Sequence, residues 1–111
     1  MERIYNKLVR DKIPKIIESK GELPVTKKLD LQQYKIALEE KLKEECQEVI
    51  SASGQERIEE LADVLEILRS LAKLEGVSLK QVIAVADQKV FKRGGFENKV
   101  FLEKVITKDS E

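Results

Sequence analysis

An all-α antiparallel helical bundle is the fold class that three features of this sequence predict. Apolar residues recur at helical spacing over two long stretches, about Asp30 to Ser53 and about Gln55 to Glu75. Start and stop residues bracket both stretches: Asp30 before the first, Ser53-Gly54 between them and Gly76 after the second. The length of 111 residues fits a single domain, 1–111, and leaves no room for another.

The elements follow in order. Residues 1–9 (MERIYNKLV) mix charge with β-formers and read as an arm or loop. Asp11 is expected to cap a short helix that tolerates Pro14 in its first turn, shows Ile13, Ile16 and Ile17 on its apolar face, and stops at Lys20-Gly21. Leu23-Pro24-Val25-Thr26 is an extended connection, because the residue before proline avoids the helical region. Asp30 then caps the first long helix. On a wheel of about 100° per residue, Tyr34, Leu38, Leu42, Val49 and Ala52 fall within roughly 60° of Glu45.

The second long helix carries Ile58, Leu61, Val64, Leu65, Ile67, Leu68, Leu71 and Leu74. These cover too much of the circumference for one partner helix to bury. Contact with a further helix is expected, from this chain or from another subunit. Ser78 starts a third helix, striped by Leu79, Val82, Ile83, Ala86 and Val90 and ending near Lys92-Arg93-Gly94-Gly95. The tail from Phe96 to Ile106 is expected to run extended and mostly irregular.

Composition narrows the chemistry. Charged residues make up 38% of the chain, but 21 basic and 21 acidic side chains cancel. Net charge thus exerts no general pull on nucleic acid or an anionic membrane, and neither is expected as a partner. The single cysteine, Cys46, excludes a disulfide framework; it is expected to pack as a small apolar residue. With no signal-like start and no long apolar run, the chain reads as a cytoplasmic protein. There is no histidine, which removes Ser-His and Cys-His nucleophilic pairs and a histidine base. Carboxylates, lysines, arginines and water are what remain.

The carboxylates are placed oddly. Glu44, Glu45 and Glu48 precede the turn at Ser53-Gly54-Gln55, and Glu59, Glu60 and Asp63 follow it. Counted from Gly54, Glu48 and Glu60 are each six residues away, and Glu45 and Asp63 each nine. An antiparallel pair sets these four at two matched heights. Glu45 lies in the middle of its apolar face, Glu48 at the border, Glu60 inside the second apolar arc and Asp63 at its edge. Glu44 and Glu59 drop to the periphery. Charges left unpaired on such a seam cost several kcal/mol each, so these acids must be protonated, paired with Lys or Arg, or neutralised by cations. All-oxygen donors favour hard ions, Mg²⁺ first and Mn²⁺ as a substitute. A solvated acidic surface is the plainer alternative, and the mirrored spacing weighs against it.

The segments KLKEECQEVI and RIEELADVLE resemble the Glu-Glu-x-x-Glu and Glu-x-x-Asp signature of the all-α nucleoside triphosphate pyrophosphohydrolases. These are the MazG-type enzymes, related to dimeric dUTPases and phosphoribosyl-ATP pyrophosphohydrolase. The opening YNKLVRDKIPKII and the RGGF near Arg93 look like a branch labelled phosphoribosyl-ATP pyrophosphohydrolase-like. The resemblance implies metal ligands at Glu45, Glu48, Glu60 and Asp63, the same four that the wheel selects. It also implies Mg²⁺ on substrate phosphates, hydrolysis of a nucleoside triphosphate to the monophosphate and pyrophosphate, and a homodimer or homotetramer.

Glu48, or another acid of the motif, is the candidate to accept a proton from the attacking water, taking the place of the missing histidine. Lys89 and Arg93, with Lys92 beside them, and Lys7, Arg10 and Lys12 near the start are the candidate phosphate-binding cations. The basic residues near a helix end also serve its dipole. Tyr5, Tyr34, Phe91, Phe96 and Phe101 are the aromatics available to stack a base, and Asn98 suits a turn better than a base contact. Nothing in the sequence selects the base or sugar. The competing function is a non-catalytic helical module that binds metal structurally or meets a basic protein.

Overall fold

The computed structural model describes residues 1–109, and every regular element among them is a helix. In order they are α1 (Ile13–Ser19), α2 (Leu31–Ser51), α3 (Gly54–Leu74) and α4 (Leu79–Arg93). The all-α reading holds. By compactness the chain divides into two units, Met1–Leu79 and the segment from Lys80 onward. No helix among the described residues is long and apolar enough to cross a membrane.

In the first unit, α2 begins where the sequence asks it to. The Asp30 carboxylate accepts from the Gln33 backbone N–H at 2.8 Å, and the Gln33 side chain accepts from the Asp30 N–H at 3.2 Å. This reciprocal pair satisfies two amide donors that a helix start otherwise leaves open. The helix stops at Ser51, two residues earlier than expected, because Ala52 (ψ 163°) and Ser53 (ψ 162°) are extended. Gly54 then takes φ +59°, a left-handed conformation that side chains disfavour, and the chain reverses into α3. Arg57 closes the reversal. Its Nε–H donates to the carbonyls of Ala52 at 2.9 Å and Val49 at 3.2 Å, tying the start of α3 to the end of α2.

At its far end α3 closes through a paired turn: Gly76 (φ +77°) donates to Lys73 and Val77 donates to Ala72, each at 3.0 Å. α1 begins differently from expectation. Asp11 does not cap it; Lys12 holds the N-cap position with φ −91° and ψ −5°, and no side chain caps the helix. Side-chain capping needs extended backbone at that residue, and Lys12 is already helical. The stop at Lys20-Gly21 is as expected, with Gly21 at φ +81°.

α2 and α3 pack along each other as an antiparallel hairpin. The seam is thin. Leu38, Ile67 and Ala72 are the buried apolar residues, and Tyr34, Leu42, Val49, Ala52, Val64 and Leu71 are half-buried around them. Every α2 position that the wheel put near Glu45 is sheltered. A second apolar stripe on α3, formed by Ile58, Leu61, Leu65 and Leu68, remains 39–57% exposed. The arm crosses the hairpin: Asn6, Lys7 and half-buried Leu8 line a cleft with Ala37, Glu40, Lys41 and Glu44 of α2. Arg3 pairs with Glu22 at 2.6 Å and secures its outer part.

The second unit comprises α4 and the tail. Gly94, at φ +82°, donates to Val90 at 2.7 Å and ends the helix. The tail is irregular. Asn98 sits in a turn closed by the Lys99 N–H donating to Phe96, and Phe96 and Phe101 are exposed.

Candidate metal centre

Glu45 projects from α2 into the seam, and Glu60 and Asp63 project toward it from successive turns of α3. One carboxylate oxygen from each of the three lies within 4.8 Å of the others, and all three residues are half-buried. Spacing i,i+3 keeps Glu60 and Asp63 on neighbouring faces of their helix. The sheltered stripe around Glu45 holds its carboxylate opposite both.

Crowding has an electrostatic consequence. Glu60 holds its proton more tightly than an ordinary glutamate. A hydrogen bond shared with Glu45 is the largest cause, followed by partial burial and the negative charges of Glu45, Asp63 and Glu48. Gathering acids in this way costs free energy unless cations offset it. Two side chains do so in part. Arg10, at the end of the arm, donates from Nη2 to Asp63 Oδ1 at 2.8 Å. Lys41, one turn before Glu45 on α2, approaches its carboxylate at 3.8 Å.

The donor set fits a hard divalent cation. Oxygens on opposite sides of an octahedral Mg²⁺ stand about 4.2 Å apart, twice a bond of about 2.1 Å. At most one pair among three ligands can be opposed in this way and adjacent oxygens stand about 3.0 Å apart, so oxygens within 4.8 Å of one another must draw together to bind the ion. Three oxygen donors and no sulfur or nitrogen match Mg²⁺ or Mn²⁺ rather than zinc.

Of the four acids selected from the sequence, three converge. Glu48 is exposed and stands outside the close group, although its charge still acts on Glu60. Glu44 is exposed in the cleft under the arm, and Glu59 accepts from Gln55 at 3.1 Å, so both are peripheral as expected. Among the cations, Arg10 reaches the acids directly, whereas Lys7 lies over the Tyr5 ring at 5.8 Å and beside α2. Lys12 lies at the start of α1. Lys89, Lys92 and Arg93 belong to the last turns of α4, in the second unit. Cys46 is exposed, contrary to the expected packing, because a position about 100° from Glu45 turns away from the seam.

Lys41 and Arg57 were not singled out from the sequence. Lys41 was legible, since a lysine four residues from a glutamate on one helix is a standing candidate for an ion pair. Arg57 carried no such signal, because its partners are backbone carbonyls.

Residues 7–90 match the family model described as phosphoribosyl-ATP pyrophosphohydrolase. No curated protein and no solved structure gives a significant match to the chain. The family match spans both helices of the hairpin and all three converging acids, well over half of the 111 residues. On that match, and with helices as the regular elements among the described residues, the chain belongs to the phosphoribosyl-ATP pyrophosphohydrolase family, within the MazG-like all-α nucleoside triphosphate pyrophosphohydrolases.

Proposed function

We propose that this protein is a Mg²⁺-dependent nucleotide pyrophosphohydrolase. Its substrate is a nucleoside triphosphate or a phosphoribosyl-ATP-like nucleotide, and its products are the monophosphate and pyrophosphate. The observation that carries the reading is the convergence of Glu45, Glu60 and Asp63 from two helices onto one point.

Glu45, Glu60 and Asp63 would hold the metal, and Glu48, on the rim, would complete or flank the set. Bound there, Mg²⁺ supplies charge neutralisation on the phosphate oxygens and a more acidic bound water. The protein contributes the rest. The half-buried seam fixes the three carboxylates before substrate arrives, which removes a reorganisation cost from the reaction. In this reading Glu48 accepts the proton of the attacking water, a role that its exposure beside the close group supports. That water adds to phosphorus as the anhydride bond breaks, and pyrophosphate leaves. Arg10 and Lys7 in the arm, with Lys89 and Arg93 on α4, are the cations we assign to the phosphates.

The family match crosses from the first unit into α4, which supports reading the chain as one domain, 1–111. The exposed stripe of Ile58, Leu61, Leu65 and Leu68 supports a homodimer or larger oligomer that covers it. The test is a panel of nucleoside and deoxynucleoside triphosphates with Mg²⁺, scored for pyrophosphate release. Cleavage of at least one that is lost in Glu45→Gln supports the reading. No cleavage across the panel and with phosphoribosyl-ATP favours the non-catalytic helical module.

A further inference from the structure

The two cations at the acidic trio are held differently. Lys41 lies on the same helix as Glu45, and both side chains are largely covered, at 21% and 16% exposure. It is built into α2. Arg10 comes from a separate segment, 53 residues from Asp63 in sequence, and the pair is 56% and 44% exposed. The backbone of Arg10 is anchored, since its carbonyl accepts from the Ile13 N–H at 3.0 Å. The half-exposed side chain can thus exchange partners while the backbone at Arg10 stays tied to the start of α1.

A guanidinium 2.8 Å from Asp63 and a divalent cation coordinated by Asp63 repel each other at close range. The two compete for one carboxylate. A displaced guanidinium would not be stranded, because its planar fork suits phosphate oxygens as well as it suits a carboxylate.

We propose that Arg10 is an exchangeable counter-ion: it neutralises Asp63 until a divalent metal arrives, and then transfers to the phosphates of the incoming nucleotide. The arm thereby couples metal occupancy to substrate binding. Arg10 acts here as a binding residue whose partner changes with the metal. This rests on the metal-dependent reading above and adds an order of events to it.

The experiment measures two affinities in wild type and in Arg10→Gln. The first is for Mn²⁺ alone, followed by the paramagnetic signal of free Mn²⁺. The second is for imidodiphosphate at saturating Mg²⁺, a non-hydrolysable probe that presents phosphate oxygens without a base. Removing a competitor held by an exposed ion pair should tighten Mn²⁺ binding by about 1.5- to 5-fold. Losing a charge-assisted hydrogen bond should weaken imidodiphosphate binding by roughly tenfold or more. The opposite signs are the test. Arg10→Lys keeps the charge and should return Mn²⁺ affinity toward wild type, and Arg69→Gln, which removes a cation paired with Glu66 on α3, should change neither affinity.

Weaker Mn²⁺ binding in Arg10→Gln would make Arg10 a support for Asp63 and overturn the exchange. So would equal tightening in Arg69→Gln, which would reduce the effect to bulk charge. Wild type that binds Mn²⁺ but not imidodiphosphate also overturns it. Wild type that binds no Mn²⁺ overturns the metal-dependent function itself and the exchange with it.

Discussion

Ile67 is the residue on which the geometry of the acidic trio most depends. It is 5% exposed and follows Asp63 by one turn on the seam face of α3. Ile67→Ala removes three carbon atoms from that seam. At about 0.8 kcal/mol per buried methylene the transfer loss alone is about 2.4 kcal/mol. The cavity adds to it, but the half-buried neighbours Val64 and Leu71 can close inward and keep that addition small. The expected cost is about 2–3 kcal/mol, a fall in melting temperature of roughly 10–20 °C for a unit of this size. Circular dichroism melts with and without Mg²⁺ measure it. Ile50→Ala is the control, because Ile50 is 69% exposed on α2 and faces away from Glu45; it should stay within about 0.5 kcal/mol. A loss below that same limit in Ile67→Ala would refute the claim that this seam sets the frame of the site.

Arg57→Ala should cost about 1 kcal/mol by leaving the Val49 and Ala52 carbonyls without their donor, read as a lower denaturant midpoint with an unchanged slope. Glu60 binds its proton above the ordinary glutamate value of 4.5, so the folded state holds that proton over a range where the unfolded chain has lost it. Its stabilising contribution is full below about that value and disappears as pH rises through the higher folded one. In EDTA, wild-type stability should therefore fall more steeply with rising pH across this window than that of Glu60→Gln. Parallel profiles would show that Glu60 is not perturbed by its neighbours. Leu65→Glu places a charge in the exposed α3 stripe and should lower the mass seen by light scattering; an unchanged oligomer would place any interface elsewhere.

What the sequence revealed, and what it hid, follows from how far each signal travels along the chain. Helical periodicity is local and strong in α2. Tyr34, Leu38, Leu42, Val49 and Ala52 were grouped around Glu45 by angle alone, and all are sheltered. The N-cap at Asp30 and the stop at Gly76 are equally local, and both stand. Glu48 fell outside the close group because a strict mirror about Gly54 matched acids by residue count. In the folded hairpin, Glu45 faces Glu60 and Asp63 together. Asp11 failed as a cap for a backbone reason that residue type does not disclose. The Arg10–Asp63 pair spans 53 residues, and no helical period links an arm to a helix that far away. A basic cluster near the start was visible, but its partner was not.

The proposed function requires that Glu45, Glu60 and Asp63 form one metal site that serves pyrophosphate-bond hydrolysis. Isothermal titration of the wild-type protein with Mn²⁺, beside Glu45→Gln and Asp63→Asn of confirmed fold, tests it most directly. Wild type should show saturable binding that is lost or weakened at least tenfold in each variant, since the two substitutions each remove one charged ligand, from opposite sides of the seam. Binding of equal strength in all three proteins would contradict it.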